Sequence, residues 1–91
     1  MIYQPFVTNK FKKDLKLSKR QNKDMNKLKK IINLLCEGKK LPAKNKDHFL
    51  SGNWSNYREC HIEPDWLLVY QVNTDDLLIE LIRLGSHSEL F

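Results

Sequence analysis

The chain carries three histidines, His48, His61 and His87, and each lies among turn-forming or acidic residues. In "HIEPDW", His61 and Asp65 bracket a short turn, so a carboxylate can approach an imidazole at one end of a sheet. There it would fix the ring's tautomer or accept a proton itself. Arg83 and His87 follow in "RLGSHSELF", which ends on Phe91. Imidazoles, an acid and a guanidinium are what cleavage of RNA through its own 2′-hydroxyl requires. A base removes the 2′ proton and the alkoxide attacks phosphorus. An acid then protonates the departing 5′ oxygen while a cation meets the phosphorane charge. Imidazole suits both transfers, because its reference pKa of about 6.5 leaves either form available near neutrality. Trp66 and Phe91 offer ring faces for a base to stack on; equally, Trp66 fits a core and Phe91 an apolar plug. A single histidine is more often a surface or satisfied core residue than a catalyst. Their convergence argues for chemistry.

Other chemistries fit less well. Three histidines and an acid permit zinc, but no HxxxH, HxH or CxxC spacing is present, which favours a site without metal or other cofactor. No glycine-rich phosphate loop is present either. Cys36 and Cys60 form no CxxC pair and read as reduced, mostly buried thiols. Thiol catalysis by Cys60 with His61 is disfavoured, since adjacent strand residues point to opposite faces.

The elements that must position these groups fit one domain spanning residues 1–91, because so short a chain cannot support two cores. "IYQPFVT" reads as a strand, with Pro5 arguing for an edge position or a bulge. Thr8 is a suitable N-cap for a short helix carrying Phe11 and Leu15. Met25, Leu28, Ile32 and Leu35, widened by Ile31 and Cys36, repeat at helical intervals up to Gly38, a natural C′ residue. After a polar loop, strand-like runs cover about 57–62, 66–73 and 77–84, and their short connections favour an antiparallel meander. The order strand, helix, helix and three strands predicts an α+β domain with the helix pair on one face of a mainly antiparallel sheet. In such a sheet the end of the first run, the start of the second and the end of the third share one rim. That gathers His61, Asp65, Trp66 and His87, with Arg83 just inside.

Charge is unevenly spread. Residues 1–48 hold 14 lysines and arginines against four acids, whereas residues 49–91 hold two against seven. The basic half can be a solvated helix face, a phosphate-binding surface with salt-dependent affinity, or a dock for an acidic protein. Lys12, Lys13 and Lys16 are the candidate phosphate contacts. The longest apolar run, Trp66–Tyr70, is far short of the roughly 18 residues of a membrane span, and nothing resembles a signal peptide. A soluble, cytoplasmic protein is expected.

The runs "KDMNKLKKIINLL", "DHFLSGNWSNYRECHIEPDWLLVY" and "RLGSHSELF" resemble the YafQ branch of the RelE/ParE toxin superfamily over nearly the whole chain. The resemblance implies a RelE-like fold and a bacterial type II toxin that cuts mRNA on the ribosome. It also implies silencing by a DinJ/RelB-like antitoxin, with promoter DNA bound by the complex mostly through that antitoxin. The family's functional residues fall on His48, His61, Asp65, Trp66, Arg83, His87 and Phe91. Departures are small: Glu59 and Cys60 occupy variable positions, and Leu84 stands where threonine is familiar. The expected roles are acid/base chemistry for His87 and Asp65, phosphate orientation for His48 and His61, and charge stabilisation for Arg83. Two rivals are a basic module that blocks the ribosome without cutting and a ParE-like gyrase inhibitor. Neither needs imidazoles gathered near the C-terminus.

Overall fold

A computed structural model describes residues 2–91. β1 (Gln4–Val7) leads into α1 (Asn9–Arg20) and α2 (Met25–Cys36), followed by β2 (His48–Phe49), β3 (Arg58–Glu63), β4 (Trp66–Asn73), β5 (Leu78–Gly85) and α3 (His87–Leu90). The sheet order is β1-β5-β4-β3-β2, antiparallel except where β1 runs parallel to β5. The α+β reading and the antiparallel meander hold. Two-residue β2 and one-turn α3 are additions that periodicity could not reveal, being shorter than a repeat.

Local chemistry sets the helix limits. The Thr8 hydroxyl accepts the Phe11 amide, capping α1, and donates to the Leu81 carbonyl at 2.8 Å, tying that cap to β5. Asp24 caps α2. At its other end Gly38 takes φ +70°, and Lys39 N–H returns to the Leu34 carbonyl.

The two faces of the sheet differ. Phe11, Leu28, Ile31 and Leu35 from the helices pack on Cys60, Ile62, Trp66, Leu68, Tyr70, Ile79, Leu81 and Leu84. On the opposite face lies a smaller cluster of Leu67, Val69 and Leu90, flanked by Leu50, Trp54 and Tyr57. Both thiols are free and buried, and burial pushes the Cys60 thiol well up, leaving it protonated and unsuited to nucleophilic work. Among the described residues, no helix is long and apolar enough to cross a membrane.

Candidate active site

Strand alternation builds the site on the face away from the helix pair. Glu59 and His61, two apart on β3, point the same way. His48 is the cross-strand partner of Glu59, while Val69 and Leu67 stand opposite Glu59 and His61 on β4. Leu67 is in turn paired with Gly85, the last residue of β5, so α3 starts beside this row. A Cβ on Gly85 would lie 3.0 Å from Glu89 Oε1 and 3.3 Å from Leu90 Cδ2. The missing side chain therefore lets α3 fold back closely. Ser86 and Glu89 close a capping box at its start.

The three imidazoles are oriented alike. His48 Nδ1 meets the Lys46 carbonyl, His61 Nδ1 the Pro64 carbonyl at 3.1 Å, and His87 Nδ1 the Asp65 carboxylate at 3.1 Å. A carbonyl only accepts, so Nδ1 of His48 and of His61 must carry the hydrogen. Each ring then directs Nε2 inward, where Glu59 Oε1 lies 3.6 Å from His48, 3.5 Å from His61 and 4.0 Å from His87. The ring centroids of His61 stand 6.4 Å from His48 and 5.7 Å from His87, making a row with His61 in the middle. The outer two side chains are about half exposed and Glu59 is almost wholly buried.

Asp65 accepts both the backbone N–H and Nδ1 of His87. Those hydrogen bonds hold its carboxyl below the usual carboxylate range, the backbone bond contributing most. It is thus an ionised anchor for His87 at neutral pH rather than a proton donor.

Of two further residues expected at the rim, Trp66 lies elsewhere, while Arg83 stands in the cross-strand row of Glu59 and Val69 with its guanidinium already engaged. Trp66 is buried on the helix side, its indole donating to Ser18 Oγ at 3.2 Å, so no base can stack on it. A β-bulge between His61 and Glu63 shifts the register here, pairing Trp66 with Glu63, which bonds Lys27 of α2 at 3.0 Å. Arg83 pairs with Val69, two strands and roughly 10 Å of sheet from β3. Its guanidinium is held by Asp14 of α1 at 2.7 and 3.3 Å, and that bond raises its pKa further. Asp14 also accepts the Leu84 amide at 2.9 Å, so α1 caps the edge of β5 that β1 leaves open. Phe91 is half exposed and meets Trp54 edge-on, with centroids 5.4 Å apart. Lys12, Lys13 and Lys16 are exposed on α1 and form no ion pair among the described residues.

Glu59 is the group that sequence reasoning missed. Its signal was an acid two residues before a histidine in a strand pattern, which places both on one face. Glu59, His61 and His87 offer ligand atoms within 4.8 Å of one another, a grouping that local spacing could not show because His87 comes from a distant part of the chain.

The family described as "Bacterial toxin of type II toxin-antitoxin system, YafQ" matches residues 3–91. The mRNA interferase toxin YafQ of Escherichia coli K12 is 45% identical over 85 residues, covering 92% of this chain and 90% of its own. The fold superposes on a metal-bound toxin from Helicobacter pylori with TM-score 0.93, 43% identity and coverage of 98% and 99%. Against YafQ in the E. coli DinJ–YafQ toxin–antitoxin complex, TM-score is 0.88 at 41% identity, covering 100% and 99%. With nearly its whole length matched, this chain belongs to the YafQ family of bacterial type II toxin–antitoxin toxins.

Proposed function

We propose that this toxin is an endoribonuclease that cuts mRNA by 2′-hydroxyl attack, with proton transfer by imidazole. The observation that carries the reading is the convergence of three Nε2 atoms on Glu59 Oε1 at 3.5–4.0 Å. His48 and His87, at the two ends of the row, serve as the proton acceptor and donor that an in-line displacement needs on opposite sides of phosphorus. His61, between them, meets the phosphate. Glu59 lies beneath the rings and orients them, while Asp65 positions His87. Arg83 is assigned to holding β5 against α1 rather than to the phosphorane. The curated E. coli relative is named an mRNA interferase, in accord with this chemistry.

The ribosome is the proposed platform, with Lys12, Lys13 and Lys16 docking on RNA. An antitoxin like the DinJ found with E. coli YafQ is the proposed silencing partner, and promoter DNA is reached through that complex. Charge reversal of the three lysines should weaken ribosome association, with the deficit shrinking as salt rises. After brief expression without antitoxin, 5′-end mapping should show discrete new ends in translated messages and none when translation is blocked beforehand. Arrest of translation without new ends would favour the non-cutting rival.

The Glu59–His61–His87 cluster supports a second reading, in which a transition metal acts on the same site as an inhibitor. Ligation would occupy the Nε2 atoms that proton transfer needs. Cleavage should fall on adding copper(II) or zinc and return with a chelator; unaffected cleavage would remove this reading.

A further inference from the structure

β2 reaches only as far as Phe49, and its pairing with β3 covers only Arg58 and Glu59. The outer edge of β3 beyond Glu59 has no neighbouring strand among the described residues. The 3₁₀ turn Ala43–Asn45 packs there instead, with Asn45 Nδ2 donating to the His61 carbonyl at 2.7 Å. Residues of this turn, of α2 and of β3 line a groove of about 730 Å³. Leu34 and Ile62 give it apolar lining, and Lys30, Lys44 and Lys46 supply charge. The acid among its lining residues, Glu63, is already paired with Lys27, whereas those three lysines form no ion pair among the described residues. Asn45, which the bond to His61 holds against β3, also lines the groove and is 5% exposed, its Oδ1 being buried without a hydrogen-bond partner among the described residues.

We infer that this groove seats the RNA nucleotide adjacent to the cleaved linkage. The inference rests on the nuclease reading above and adds a subsite to it. His61 belongs to both places: its Nε2 faces Glu59, and the residue itself lines the groove. A nucleotide has the matching chemistry. Its base is a flat apolar body for the lining, and its phosphates suit the three lysines that form no ion pair among the described residues. The rival occupant, an acidic protein segment pairing with the open edge of β3, fits the lysines but leaves the juxtaposition with His61 unexplained.

The test uses the full chain on ribosomes carrying an mRNA blocked by a 2′-deoxy sugar at the scissile nucleotide, with 4-thiouridine placed on either side of it. Photocrosslinks are expected in the segment 27–46 from one of the two positions. With cleavable mRNA, Lys30→Glu/Lys44→Glu should raise KM about tenfold while kcat stays within about twofold. The salt slope of binding should fall by about 1.4, since two phosphates would no longer be neutralised, at about 0.7 each. If the reversal unfolds the chain, Lys30→Gln/Lys44→Gln must move KM in the same direction. Crosslinks confined to peptides bearing His48 or His87 would overturn the groove and leave the nuclease standing. Unchanged KM with weakened antitoxin binding would also overturn it, assigning the groove to protein. Absence of both crosslinks and cleavage would instead remove the nuclease reading beneath it.

Discussion

β3 presents two different surfaces from alternate residues. Cys60 and Ile62 enter a core closed by two helices, while Glu59 and His61 enter a cluster of ionisable groups on the other side. On the helix face the large side chains find apolar neighbours, and polar groups among them are paired, as where Trp66 meets Ser18 and Tyr70 donates to Asp47 at 2.6 Å, Asn45 Oδ1 at its margin being the exception. On the histidine face the side chains are held by Nδ1 contacts while their Nε2 atoms are left to point at a shared carboxylate. One face is built for stability. The other concentrates groups that a purely structural protein would gain by replacing with apolar residues, and this cost marks the place where function resides.

The largest expected effect separates the faces most sharply. His87→Ala should lower the cleavage rate by about 10² to 10⁴, with the melting temperature little changed because the side chain is half exposed. A large fall in melting temperature would mean that the two faces are not separable. Leu68→Ala is the converse experiment: it empties part of a fully buried site and should cost about 2–5 kcal/mol in denaturant unfolding. Cleavage per folded molecule should stay near wild type, measured well below the transition.

The Asp14–Arg83 pair tests whether Arg83 belongs to the structure or to the chemistry. A double-mutant cycle with Asp14→Ala and Arg83→Ala should give a coupling of about 0.5–3 kcal/mol in stability. A cycle showing none, together with a large fall in kcat for Arg83→Ala, would return Arg83 to the catalytic set. The smallest effect concerns Asp65. Its folded pKa lies below its unfolded value, so the stability it contributes is present above the unfolded pKa and is lost as pH falls through the depressed folded one. Wild type should therefore be slightly more stable than Asp65→Asn at neutral pH, and the gap should close in strong acid. Chemical denaturation at the two pH values checks the sign.

Much of this was legible from residue order. The α2 stripe, the Thr8 cap, the Gly38 stop and the three long strands were readable because each is a local pattern repeated over several residues. His61, Asp65 and His87 could be brought to one place because antiparallel strands with short turns leave few alternatives, whereas His48 came in only through the family resemblance. For Trp66 the chain left both rim and core open, and the engagement of Arg83 by Asp14 was hidden, since each residue lies beside a β-bulge that shifts register with no local signature in the chain. Glu59 was hidden for a different reason. As a lone acid in a strand it looks like a solvent-facing residue until His48 and His87, 11 positions before and 28 after it, are seen to cover it.

By itself the amino-acid order determined the elements, the basic half and the types of group available for proton transfer, because propensity, periodicity and charge are properties of neighbouring residues. Only the tertiary structure decided which nitrogen of each imidazole faces inward, which carboxylate lies under them and which cation is already engaged. Those depend on contacts between residues far apart in the chain, such as Asp14 with Arg83 and Asp65 with His87, where sub-ångström differences in distance determine which hydrogen bonds form.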